Sequence, residues 1–292
     1  MSTDNNTLLV VTCKKDMWQF EMLIRSAYKF LKPCNLVIIY NESKEDYQHW
    51  LDWFGFLQKL FLKKFKVQTF YIEDFMPLST KHGGWIRQQL LKILAHKEIK
   101  TENYVILDSK NFFIDSCCID DIKRCDLKSG WWSEDLDGWI KACCEHLGYN
   151  YEGTQLGPTI TPFIFKKKII ESMMKKWINV NDFVEWFTKV GRRDGVSASE
   201  FFLYEIFEQN NSPYMLQTGI NSNVSTVWHH DLNSQELRYH AEQILEKKQK
   251  FNINVSGIHF TVLQEHKEKD VQKLLADLNC EIILPSTIDY PF

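Results

Sequence analysis

Residues 83–115 read GGWIRQQLLKILAHKEIKTENYVILDSKNFFID. The stretch holds a helical pattern opened by two glycines, a polar spacer, and an apolar strand that ends in Asp108. Ile86, Leu90, Ile93 and Leu94 recur at i, i+4, i+7 and i+8, which predicts one apolar stripe on a helix over 85–96. Trp85, Gln88, Gln89 and Lys92 fall on its other sides. Lys92 and His96 read as parts of a solvated strip. Residues 104–108 (YVILD) are a continuous apolar run, as expected of a strand buried on both faces.

Toward the N-terminus the same alternation repeats. Residues 7–13 (TLLVVTC), 35–40 (NLVIIY) and 67–72 (VQTFYI) read as further strands. Residues 16–31 and 45–62 read as helices, the first ended by Pro33. Strands alternating with helices over short connections predict an α/β fold, a mostly parallel central sheet flanked by helices with right-handed crossovers. Ligands of such sheets gather beyond the carboxyl ends of the strands. That rule singles out residues 12–16, 41–44, 73–84 and 108–111.

After residue 112 the alternation stops. Residues 115–157 read as irregular, and a strand follows at 161–165. Helices are expected at 167–178, 181–189, 198–209, 235–248 and 268–278, with short strands at 254–260 and 281–284. No repeat, low-complexity tract or linker divides the chain. The expectation is one domain over 1–292, with a nucleotide-binding half at about 7–115.

The 292 residues are 44% hydrophobic and 25% charged, ordinary globular usage. A formal net charge of −3 argues against a general nucleic-acid binder. No apolar run reaches the ~18–20 residues of a membrane span, so no stable membrane insertion is expected. The first seven residues are polar and carry no secretory signal. Eight cysteines, two pairs of them adjacent (Cys117-Cys118 and Cys143-Cys144), lack zinc spacing and read as reduced thiols in a cytoplasmic protein. Neither GxGxxG, Walker A nor GxSxG is present, which counts against dinucleotide dehydrogenases, P-loop enzymes and α/β-hydrolases.

Asp108 sits where a carboxylate can hold a divalent cation against phosphate oxygens, or simply cap the next turn. The helix before it runs antiparallel to the strand, so Gly83-Gly84-Trp85 starts at the same edge. Its free N–H groups favour an anion. Glu200 is either a proton-accepting carboxylate or the last member of a Ser197-x-x-Glu200 capping box. Asp135 and Asp137 in a Trp-rich loop stand behind it, and Trp131 and Trp132 can stack on a sugar or pack beneath the loop. His229 and His230 read as surface or core residues.

The pair GGWIRQQLLKIL and YVILDSKNFFI resembles glycosyltransferases of the GT-A fold found in bacteria and their viruses. SASEFFLYEIF (197–207) and VSGIHF (255–260) resemble later landmarks of that family. The resemblance implies transfer of a sugar from a nucleotide-diphosphate sugar to a hydroxyl of a glycan or other acceptor, with 116–292 as the acceptor-side half. It implies that Thr12, Trp85, Gln88, Gln89, Asp108 and Lys110 bind the donor. Asp108 and His259 would hold Mn²⁺ or Mg²⁺, and Glu200 and Lys110 would be catalytic. One departure stands out. The usual second acid is Lys110 here, and an ammonium cannot ligate a metal. Lys110 could instead pair with donor phosphates, so either Asp108 and His259 hold a loosely bound metal or the site has lost metal dependence, while Asn111 could offer a neutral oxygen. Two other readings stay open: a nucleotidyltransferase-like enzyme, and a non-catalytic sugar-binding or scaffold protein.

Overall fold

The computed structural model describes residues 6–48, 62–77, 83–122, 125–128, 134–151, 156–157, 160–190, 198–211, 220–221, 226–227 and 254–258, with pieces of 241–249 and positions 273 and 276. In chain order the strands are β1 (Asn6–Thr12), β2 (Asn35–Tyr40), β3 (Lys66–Tyr71), β4 (Asn103–Asp108), β5 (Asn111–Phe113), β6 (Cys125–Lys128), β7 (Leu156–Gly157), β8 (Phe163–Lys166), β9 (Ile220–Asn221), β10 (Thr226–Val227) and β11 (Val255–Ile258). The helices are α1 (Met17–Phe30), α2 (Lys44–Gln48), α3 (Gly84–Leu94), α4 (Glu134–Leu147), α5 (Lys167–Met174), α6 (Val180–Val190) and α7 (Glu200–Asn211).

The central sheet has the order β3-β2-β1-β4-β8. Its first four strands are parallel, in a register that sets Leu9 beside Val37 and Ile106. β8 runs antiparallel to β4 and closes the edge. The apolar runs form central strands because both faces are covered. Leu9, Val11, Val37, Ile39 and Ile106 point into one core with α3, α6 and α7. Leu8, Val10, Leu36, Ile38, Val105 and Leu107 point into the other, against Phe20, Leu23 and Ile24 of α1. Period-two side-chain alternation thus feeds two cores from one strand set.

Several boundaries differ from expectation. α1 follows a 3-10 turn over Lys14–Asp16 and stops at Leu31, which is extended and bridges to Cys117. α3 continues as a 3-10 turn over Ala95–Lys97. Of the helix expected over 45–62, the described parts are α2 and a helical turn at 62–64. The stretch 115–157 is not irregular throughout, because α4 lies within it. Gly138 and the Cys143-Cys144 pair obscure its pattern in sequence, yet Ala142, Cys143 and Leu147 are buried and the helix packs on α7. β8 begins at Phe163, after a cis Thr161-Pro162 bond. β11 joins a separate sheet, antiparallel to β5 and parallel to β10. Residues 281–284 lie outside the described residues, as do most of 235–248 and 268–278. Among the described residues no helix is long and apolar enough to cross a membrane. Six described cysteines carry free thiols.

Because neighbouring residues of β4 enter different cores, both faces should be equally sensitive. Ile106→Ala and Leu107→Ala are each expected to destabilise by about 2–5 kcal/mol in chemical denaturation. A Leu107→Ala variant within about 0.5 kcal/mol of the parent would mean that one face is not a true core.

Candidate functional site

Asp108 is the last residue of β4, at the carboxyl edge of the sheet. Lys92 Nζ lies 2.8 Å from its Oδ1, and Lys110 Nζ lies 2.9 Å from its Oδ2. The Lys92 contact is poorly aligned for a hydrogen bond and acts as an ion pair. The same Lys92 ammonium donates to Glu200 Oε1 at 3.0 Å and sits 4.9 Å from the centre of the Phe201 ring. One cation therefore joins α3, β4 and α7.

Lys92 and Glu200 are largely buried, each side chain 5% exposed, whereas Lys110 is 20% exposed. The solvated strip expected for Lys92 and His96 is a correction: both are buried. α7 packs beside α3, with Phe201 and Tyr204 on Phe163 and Phe165 of β8, so a stripe that reads as polar in sequence is interior. His96 turns back to the Ile93 carbonyl at 2.9 Å, and burial pushes its imidazole pKa down. Tyr104 donates its hydroxyl to the Lys92 carbonyl at 3.2 Å, which pins α3 to β4.

The charges set each other. Burial would raise the Asp108 carboxyl, but Lys110 and Lys92 overcome it and hold the group far below the usual carboxylate range. Burial would lower the Lys92 ammonium, but Asp108 and Glu200 outweigh it and the net shift is upward. Burial raises Glu200, and Lys92 offsets this only in part. Glu200 is thus the carboxylate of this cluster that more readily takes a proton.

A frame of hydrogen bonds shapes the edge. Asn111 Oδ1 accepts the Asp108 N–H at 2.8 Å and the Thr161 hydroxyl at 2.7 Å. That oxygen is committed to the turn, a correction to its expected availability as a metal ligand. Ser109 Oγ donates to Thr12 Oγ1 at 3.0 Å, so Thr12 is buried at the end of β1. Gln89 Oε1 accepts the Glu200 N–H at 3.2 Å and fixes the first turn of α7, while Gln88 reaches the Val11 carbonyl at 3.4 Å. Trp85 stays half-exposed beside Trp139 of α4, their ring centres 5.6 Å apart. A Cβ on Gly83 would meet nothing within 4 Å, and one on Gly84 only Asn41 Nδ2 at 3.9 Å. Among the described residues nothing requires these glycines, and the start of α3 is exposed.

Sequence reasoning missed two residues. Lys92 was legible only as a helix position, since its partner lies 108 residues away. Asp16, just past β1, is close enough to feel the charges of Asp108 and Lys110, and burial raises its carboxyl. Among the described residues the set does not suit a divalent cation. Both Asp108 oxygens face ammonium groups, and among the described residues no three His, Cys, Asp or Glu side chains converge. His259, Trp131, Trp132, Ser197, His229 and His230 lie outside the described residues. Asp135 and Asp137 fall in α4 rather than in a loop.

The chain belongs to a family of unknown function (DUF6492), matched over residues 8–281. No curated protein matches it. Among solved structures it is similar to the crystal structure of S. aureus TarS 1-349, at 13% identity and a TM-score of 0.39, over 94% of this chain and 70% of that one. It is also similar to the crystal structure of S. aureus TarS, at 11% identity and a TM-score of 0.39, over 94% of this chain and 43% of that one.

Removing Lys92 strands Glu200 in the interior. Lys92→Met should destabilise by about 3–5 kcal/mol near neutral pH. Without Lys92 the folded-state pKa of Glu200 rises further above its unfolded value. The Glu200 contribution in the variant is then fully present below the unfolded value and is lost as pH rises through the folded one; the parent loses less, because Lys92 partly offsets the rise. The parent keeps its Lys92–Asp108 pair over the same range, because the Asp108 pKa is depressed. The gap measured by urea denaturation should therefore widen from about pH 5 to about pH 8. Adding Glu200→Gln should narrow it. A pH-independent gap would contradict this electrostatic assignment.

Proposed function

We propose that the chain transfers a sugar from a nucleotide-diphosphate sugar to an acceptor hydroxyl, on a GT-A-like sheet. The observation that carries this reading is the convergence of Lys92, Asp108, Lys110 and Glu200 at the carboxyl edge of the parallel sheet, where such folds bind nucleotides. The likeness of GGWIRQQLLKIL and YVILDSKNFFI to GT-A glycosyltransferases supports it. So do two buried polar atoms beside α3, Asn41 Oδ1 at its start and Gln89 Nε2 at its middle, which have no hydrogen-bond partner among the described residues. Each costs about 1–3 kcal/mol unless a polar ligand or water meets it.

In this reading the donor lies along the edge between Thr12, the start of α3 and the Asp108 turn. The diphosphate meets Lys110, and Trp85 borders the mouth. The sugar–phosphate bond breaks as the acceptor oxygen bonds to the sugar carbon, and the diphosphate leaves with the bonding pair. Glu200 takes the acceptor's proton, a role that suits a carboxylate whose pKa burial has raised. Lys92 holds Glu200 and Asp108 in register. The acceptor enters from the side of α4 and α7.

One observation favours a second reading. Asp108 and Glu200 are already ion-paired, as in a module that binds a sugar nucleotide without turning it over.

A panel of nucleoside diphosphates and nucleotide-sugars, scored by thermal shift and by release of nucleoside diphosphate, tests both. Transfer predicts that Glu200→Gln lowers turnover by about 10²–10⁴-fold while donor affinity changes little. Binding with no release in the parent supports the second reading. Release of pyrophosphate from a nucleoside triphosphate instead would identify nucleotidyl transfer.

A further inference from the structure

We infer that in this chain lysine ammonium groups take the place of a divalent cation at the phosphate subsite: Lys110 contacts the diphosphate, and Lys92 is the fixed counter-ion that holds Asp108 behind it. The diphosphate half of this inference rests on the proposed sugar transfer, whereas the metal half stands on geometry alone.

A carboxylate that serves a divalent cation must turn an oxygen toward it, at about 2.0–2.1 Å for a magnesium ion. Both oxygens of Asp108 are instead within 3 Å of an ammonium nitrogen. A cation placed there would have to displace a lysine or sit beside two like charges. Lys92 has nowhere to withdraw. It is buried, it is shared with Glu200, and Phe201 packs over it. Lys92 and Lys110 balance Asp108 and Glu200, and the nearby Asp16 adds one carboxylate, so a dication would still leave the edge with net positive charge. Asn111, the nearby neutral oxygen, is already bonded to the Asp108 N–H and Thr161.

Lys110 differs from Lys92 in the property that matters for a ligand, since part of its surface is open. Its bond to Asp108 orients the ammonium without satisfying all three of its N–H donors. Lysine is an effective point-charge partner for phosphate. The uncovered N-terminus of α3 adds partial positive charge at the same edge.

Two measurements on the full-length chain test this. In the first, Mn²⁺ alone is titrated and free Mn²⁺ is followed by electron paramagnetic resonance, with no nucleotide present. No site tighter than about 1 mM is expected. A tighter site that Asp108→Asn abolishes would overturn the inference, whatever the protein transfers. In the second, pyrophosphate and a set of nucleoside diphosphates are titrated calorimetrically in EDTA and again with Mn²⁺. Affinity should be unchanged by EDTA. It should fall by about tenfold or more in Lys110→Met and be largely retained in Lys110→Arg, with melting temperatures confirming that both variants fold. Binding that requires Mn²⁺, or that is indifferent to Lys110→Met, would overturn the inference and leave the transferase reading intact. Absence of binding under both conditions would overturn the Lys110 assignment and the transferase reading together, while the Mn²⁺ titration still decides the metal half.

Discussion

A single buried ammonium organises this molecule. Lys92 lies 2.8 Å from Asp108 and 3.0 Å from Glu200, and those two acids come from opposite halves of the chain. Asp108 ends a central strand; Glu200 begins a helix that packs on the edge strand β8. Glu200 could not be buried alone, since an unpaired interior charge costs several kcal/mol. The shared cation makes both tolerable and fixes α3 between β4 and α7. The cost of burying charge is thus tied to one geometry of the sheet edge.

The rest of the edge follows from that constraint. The Lys92 carbonyl accepts the Tyr104 hydroxyl, which sets the height of α3 on β4. Gln89, one turn earlier, holds the first N–H of α7. Asn111 and Thr161 brace the turn that carries Lys110. Trp85 and the two glycines lie at the open end of the same helix. Along α3 the residues pass from exposed Trp85 to buried Lys92, so the helix leads from solvent to the charge cluster.

The sheet was legible in the sequence because its strands are continuous apolar runs, a pattern that needs no partner to interpret. Asp108 was legible for the same reason, as an acid closing such a run. Lys92 was not. Read on α3 alone it lies off the sheet-facing stripe, and only the packing of α7 beside α3 makes that side interior. Glu200 was visible as a candidate, but its partner was not, because 108 residues separate the two. The Ser197-x-x-Glu200 pattern suggested a cap, whereas the Glu200 carboxylate is spent on Lys92. α4 escaped notice because Gly138 and small cysteines blur its apolar stripe, and the antiparallel sense of β8 has no local signature. Lys110 was noticed as a substituted acid; its bond to Asp108 required the turn to be seen.

The central claim is that the ligand-binding edge of this fold is the one built around Lys92. Amide hydrogen exchange with and without saturating nucleoside diphosphate addresses it directly, because it locates the ligand without assuming a reaction. The account predicts slowed exchange in residues 12–16, 83–90 and 108–111, with little change in α5 and α6. Protection confined to other segments, with those three unchanged, would contradict it.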